Sequence, residues 1–136
     1  MRENSNLRLL DVIIFILIIG VIATFAIPAY NANMKRAKAY EAEITLEVIQ
    51  KIIQNYYQEH GHYPIINDAI PLSSLTNIDL NDDELSGRYY LASDYFYVSD
   101  SNGQKFKVKA IGTKPEVRSL NREIDESGKI YRKLTF

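Results

Sequence analysis

Asp11 is the residue whose placement most demands a chemical partner. It stands immediately before residues 12–27 (VIIFILIIGVIATFAI), a run without a single charged side chain. A carboxylate costs on the order of 2.5–3.5 kcal/mol at a bilayer centre and less near the interface. Asp11 must therefore either snorkel at a membrane edge, one helical turn from Arg8, or meet a cation where the run is buried. The other candidates are weaker. His60-Gly61-His62 pairs two imidazoles at a helix stop, with no third ligand nearby in sequence. Asp79, Asp82, Asp83 and Glu84 form an acidic run, and Asp100-x-Asn102-Gly103 has the opening of a calcium loop without its later bidentate Glu. No nucleophile motif, phosphate loop or dinucleotide fingerprint is present. With Cys at zero, disulfides, thiol nucleophiles and thiolate metal sites are excluded. The expectation is a non-enzymatic chain with no catalytic residue, no metal and no cofactor.

The elements that must carry Asp11 can be read from periodicity. Leu9, Leu10, residues 12–27 and Ala29 give about 20 largely apolar residues, enough for one bilayer crossing. Beyond Lys35, apolar or aromatic residues recur at Ala37, Tyr40, Ile44, Val48, Ile52 and Tyr56, with Ile49 and Ile53 widening the stripe. Glu41, Glu43, Glu47, Gln50, Lys51, Gln54 and Gln58 cover the other face, so the pattern is an amphipathic helix. Ile44, Val48 and Ile52 are expected to bury against the rest of the domain. His60-Gly61 with Pro64 is a helix stop. A helix from about Leu9 to Glu59 is on the order of 75 Å long. Pro28 removes one of its hydrogen bonds and predicts a kink or an unwound stretch, while Gly20 permits close backbone approach.

The second half reads as a small antiparallel sheet. Lys105–Ala110 alternates with period two and joins Tyr95–Ser99 through the turn Asp100-Ser101-Asn102-Gly103. Leu120–Ile124 and Lys129–Leu134 form another pair around Asp125-Glu126-Ser127-Gly128. Residues 65–88 read as a long polar connection with a short helix near Leu72–Leu75. The fold class is thus α+β: a long N-terminal helix, transmembrane in its first half and amphipathic in its second, packed on a meander of about four short strands.

Charge is segregated along the 136 residues although the net charge is only −1. Residues 1–40 carry five basic and two acidic side chains, residues 41–104 two and eleven, and residues 105–136 nine and four. The balances of +3, −9 and +5 leave no bulk pull toward nucleic acid, so no nucleic-acid partner is expected. They describe either a solvated surface or one that is self-complementary between copies.

The run Leu7–Tyr30 (LRLLDVIIFILIIGVIATFAIPAY) resembles the N-terminal segment of type IV pilins and type II secretion pseudopilins. Asp11, Gly20 and Pro28 stand at the spacings of that family's acidic residue, glycine and proline. Tyr57-Gln58-Glu59-His60-Gly61-His62-Tyr63-Pro64 resembles the Tyr-x-x-x-Gly-x-Tyr-Pro ending of its long helix. The family's leader ends in Gly and its mature chain usually starts with Phe; Asn6 and Leu7 stand there in this chain, and Asp11 replaces the usual Glu. The resemblance implies a leader-like segment at 1–6, a membrane or filament-core helix at 7–29 and a periplasmic or extracellular domain at 30–136. It implies assembly residues Asp11, Gly20 and Pro28, with Asp11 meeting a neighbouring subunit's N-terminal amine, and leader cleavage between Asn6 and Leu7 by a prepilin peptidase. The implied partners are other pilin subunits, as a homo- or hetero-oligomer, the inner membrane and a pilus assembly platform. The implied function is a filament subunit of a pilus or, alternatively, of a secretion pseudopilus. A signal-anchored envelope domain that binds a ligand through a Tyr-rich sheet is the rival from another class.

Overall fold

The computed structural model describes residues 3–133, with side chains from Arg8 onward. Residues 1 and 2 and the side chains of Asn6 and Leu7, on which the leader and its cleavage point depend, lie outside the described residues, as does Leu134. The chain divides into two compact units, one ending at Met34 and one beginning at Lys35.

The first unit is helical throughout its described part, as the first portion of α1 (Glu3–His60). Its large apolar side chains from Leu9 to Ile27 are exposed, because nothing in the unit packs against them. The backbone stays helical through Pro28, so of the two expected alternatives, a kink or an unwound stretch, the unwinding is not seen. Pro28 has no N–H to give, which leaves the Thr24 carbonyl without its helical donor. Thr24 Oγ1 itself donates to the Gly20 carbonyl at 2.8 Å.

The second unit holds the remainder of α1 and a five-stranded antiparallel sheet in the order β1-β2-β3-β4-β5, the order of the chain itself. The strands are β1 (Ile70–Pro71), β2 (Tyr95–Ser99), β3 (Phe106–Ala110), β4 (Arg122–Asp125) and β5 (Ile130–Tyr131). Val108 faces Tyr97 on one side and Ile124 on the other, so the inward residues of three strands share one face. The expected four strands are thus five. β1 escapes the sequence pattern because it is two residues long and ends in Pro71, which only an edge strand tolerates. The connection also holds a 3₁₀ turn, Leu72–Ser74, where a short helix was expected, and a helix that was not expected, α2 (Asp82–Leu85). The acidic run forms the first turn of α2, where carboxylates suit the N-terminal dipole, and Asn81 caps it by accepting from the Asp83 N–H.

The face that α1 turns to the sheet is not the one the spacing predicts. Ala39, Ala42, Leu46, Ile49 and Ile53, in steps of three and four, are fully buried. Tyr40, Ile44 and Val48 remain 60%, 47% and 47% exposed, and Ile52 is half-buried. Two apolar stripes therefore run along this helix. The sheet takes the one that starts with alanines, whose small side chains let the backbone come close. The core is completed by Tyr90, Tyr95, Tyr97, Phe106, Val108, Val117 and Ile124.

The helix stop behaves as expected. Gly61, at φ +76°, donates to the Tyr57 carbonyl at 2.8 Å in the left-handed geometry that glycine adopts without strain. Tyr63 then packs its ring 4.6 Å from both Tyr57 and Phe106, and Tyr97 donates its hydroxyl to the Pro64 carbonyl. The second patch of the resemblance is thereby a seat that fixes the helix end to the sheet.

Candidate functional site

In the first unit the site is an apolar helical surface. Among the described residues, one helix is long and apolar enough to cross a membrane, with a mean hydropathy of 2.9 over its best window and none of that window buried. Asp11, Gly20 and Pro28 all lie on it, Asp11 exposed and Gly20 with open space where a Cβ would stand.

In the second unit, three surfaces surround the exposed part of α1. The Tyr40–Ile44–Val48 stripe lies opposite the sheet. On one flank, the Glu41 carboxylate accepts the backbone N–H groups of Arg88, Tyr89 and Tyr90 at 3.1, 2.8 and 2.9 Å, clamping that loop to the helix. On the other flank, Arg122 Nε donates to Glu43 Oε1 at 2.7 Å. That pair is the floor of a concavity of about 300 Å3 shared with Arg36, Ala37, Tyr40 and Arg132. Further along, Gln50 and Gln54 both donate to the Glu126 carbonyl at 3.2 Å and hold the β4–β5 turn. Glu41, Glu43, Gln50 and Gln54 were expected on a solvent face. They grip the domain instead, through partners 47 to 79 residues away that no local pattern reveals.

The remaining chemical candidates serve local structure. His60 stacks on Tyr56 with ring centroids 4.0 Å apart and bonds the Tyr56 carbonyl through Nδ1 at 3.0 Å. Asp100 Oδ1 accepts the N–H groups of Gln104 and Lys105 at 2.8 and 3.2 Å and staples the β2–β3 turn. These backbone hydrogen bonds, led by that of Lys105, pull its carboxyl below the usual range. Asp125 does the same for the β4–β5 turn, accepting from Ser127, Lys129 and the Tyr131 hydroxyl. Burial alone would raise the Asp125 carboxyl, but those hydrogen bonds outweigh it and the net direction is down. Among the described residues, no group of three or more His, Asp or Glu side chains could hold a metal. An open depression of about 470 Å3 beside the β2–β3 turn is lined by Val98, Asp100, Lys107 and Glu126 among others.

The Tyr-rich character of the sheet is not a binding surface. Tyr90, Tyr95 and Tyr97 are wholly buried, and burial raises their hydroxyls, those of Tyr90 and Tyr95 to about 12. The aromatic rings form the core that a cysteine-free domain needs.

A long apolar helix followed by a meander covering one face of its second portion defines a class of single-helix α+β domains. Within that class the chain resembles type IV pilins and type II secretion pseudopilins. It is 34% identical over 75 residues to the "Fimbrial protein" of Neisseria meningitidis serogroup A, covering 55% of this chain and 44% of that one. It is 33% identical over 75 residues to the type IV major pilin protein PilE of Neisseria gonorrhoeae, covering 55% and 45%. The type II secretion system core protein G of Vibrio cholerae is 23% identical over 70 residues, covering 52% and 48%. The chain thus spans about half the length of the curated relatives it matches or slightly less. No family model matches. Among solved structures, a type IV pilin from Shewanella oneidensis aligns with a TM-score of 0.48 at 18% identity, covering 71% of this chain and 89% of that one.

Proposed function

We propose that the chain is a structural, non-catalytic subunit of a type IV pilus-like filament, assembled from the membrane by helix packing. The observation that carries this is the apolar surface of α1. Its first portion is uncovered in every direction, and its second keeps the Tyr40–Ile44–Val48 stripe uncovered although the opposite stripe is buried. A lipid anchor accounts for the first surface alone. A filament of copies accounts for both, since exposed apolar side chains along a helix are covered when helices bundle.

In this reading the chain is a single-pass inner-membrane protein before assembly and part of a periplasmic or extracellular filament afterwards. Its partners are other pilin subunits, an assembly platform and a prepilin peptidase acting between Asn6 and Leu7. Asp11 pairs with the N-terminal amine of a neighbouring subunit, Gly20 and Pro28 shape the packed helix, and residues 30–136 form the exposed domain. The similarity to core protein G favours a second reading, a type II secretion pseudopilus, in which the same assembly chemistry builds a shorter periplasmic filament.

The test is the ratio of sheared, surface-derived protein to membrane-retained protein for wild type, Asp11→Ala and Asp11→Glu. Asp11→Ala should insert as well as wild type or better, having lost a charge from the apolar run, but enter filaments less. Asp11→Glu should assemble at least as well, its longer side chain reaching the same amine. Equal ratios in all three would remove the assembly role of Asp11 and leave an anchor.

A further inference from the structure

We propose that the globular unit binds a second copy of itself side by side, the basic concavity on one flank of α1 receiving the acidic α2 segment of the next copy. The inference rests on the filament reading above and names the contact between globular units.

Three arginines, Arg36, Arg122 and Arg132, are among the residues that line the concavity. Arg122 is committed to Glu43 at 2.7 Å. Arg36 and Arg132 are exposed, and among the described residues neither forms an ion pair. Two open guanidinium forks beside a third that is half-neutralised form a receptor for carboxylates, since each fork presents paired N–H donors in the geometry a carboxylate accepts.

The complementary group stands on the same chain. Asp79, Asp82, Asp83 and Glu84 are all exposed, and none forms an ion pair among the described residues. Leu85, buried in the core, fixes the α2 backbone, and the Asn81 cap holds its first turn, so the carboxylates stand on an ordered segment.

Position makes the match intermolecular. The loop after α2 is clamped to α1 through Glu41, whereas the concavity is built on Glu43. Residues two apart on a helix point about 200° away from each other. The sheet agrees: Arg132 follows β5 at one edge, while α2 packs by the Ala92–Asp94 turn that leads into β2, next to the opposite edge strand β1. Surfaces on opposite flanks cannot meet within one copy. A closed two-fold pair would not satisfy both at once, so their pairing is head-to-tail, the kind of contact that builds an open filament when the rotation between copies does not close a ring. The exposed Tyr40–Ile44 stripe lies between the two flanks and would be brought against the neighbour by the same contact.

The absence of cysteine makes the test direct, because introduced thiols are the only ones. Two differently tagged full-length copies, one with Arg132→Cys and one with Asp82→Cys, are co-produced in cells with a pilus assembly system and oxidised in the membrane and sheared fractions. A mixed-tag disulfide should exceed that of a control pair, Ser101→Cys with Asp82→Cys, by about tenfold, since an assembled contact raises the effective concentration. In parallel, Arg36→Glu with Arg132→Glu should reduce incorporation into sheared material, and adding Asp82→Lys with Asp83→Lys in the same chain should restore it. All four positions are exposed, and unchanged circular dichroism melts exclude misfolding. A mixed-tag product no greater than control, or no restoration by the swap, overturns the proposal. So does a reversal that only lowers binding to anionic phospholipid vesicles, which would assign the arginines to lipid headgroups. Cross-linking in membranes without any sheared filament would uphold the contact while overturning the filament reading. Sheared filaments without the cross-link would do the reverse.

Discussion

Truncating Leu46 and Ile44 to alanine, one at a time, tests which face of α1 the domain covers. The two residues are adjacent in size and sequence, but Leu46 is fully buried and Ile44 is 47% exposed. Leu46→Ala deletes three carbon groups, worth about 0.8 kcal/mol each in transfer from water. The cavity left under the sheet adds to this, giving a loss of about 2–5 kcal/mol. A domain of this size loses about 4–8 °C of melting temperature per kcal/mol, so a fall of about 8–40 °C is expected. Against a total stability of about 5–15 kcal/mol, that is a large fraction. Ile44→Ala should stay within about 0.5 kcal/mol of wild type, because half of its surface is already in water and alanine is the better helix former. The assay is a thermal melt followed by circular dichroism on the full-length chain in detergent micelles, at concentrations where it is monomeric. If Ile44→Ala falls as far as Leu46→Ala, the assigned face of α1 is wrong. Under filament conditions the order should invert, with Ile44→Ala lowering assembly while the isolated fold is unchanged.

Glu41→Ala should cost about 2–3 kcal/mol, since three backbone donors lose a charged acceptor. A lower urea midpoint with an unchanged slope, and faster hydrogen exchange confined to residues 88–90, would show it. At high pH the folded hydroxyls of Tyr90 and Tyr95 titrate near 12, above the usual tyrosine value of 10. The unfolded chain therefore releases protons first, so stability is full below pH 10 and is lost as pH rises toward 12. Tyrosinate absorbance should rise together with loss of the fold; full ionisation without unfolding would contradict the burial. At low pH the sign is opposite: the Asp100 and Asp125 carboxyls lie below 3.8 in the folded state, so they add stability above that value that is lost as pH falls through their folded range. Asp125→Asn should flatten that acid dependence, measured as the urea midpoint between pH 5 and 2.

Much of the architecture was legible because it rests on local signals. Residues 12–27 declare an apolar helix by composition, Gly61 and Pro64 declare its end, and Lys105–Ala110 declares a strand by strict alternation. The face of α1 was not legible. Its second portion carries two apolar stripes, and periodicity alone cannot say which one a sheet will choose when the smaller stripe offers closer approach. β1 was hidden by its length and by Pro71, and α2 by a run of carboxylates that reads as loop until Asn81 is seen to cap it. Asp11, Gly20 and Pro28, the proposed assembly residues, stand out in the sequence as exceptions in or beside the apolar run. Arg36, Arg122 and Arg132 were not, because only the fold brings residues nearly a hundred positions apart around one concavity.

The sheet follows the chain strand by strand, with α1 made first and β5 last. Each strand therefore pairs with the strand before it in sequence, and the helix precedes them all. The C-terminal part of the chain is what closes the Glu43 flank: Arg122 pairs with Glu43, the Glu126 carbonyl accepts from Gln50 and Gln54, and Arg132 lines the concavity with Arg36. A chain interrupted before β4 would still carry the acidic α2 segment. It would lack the basic concavity altogether. Under the contact proposed above, such a fragment would dock onto a growing end, offer no concavity to a successor and terminate growth. Completeness of synthesis is in this way written into the surface that a successor copy must recognise.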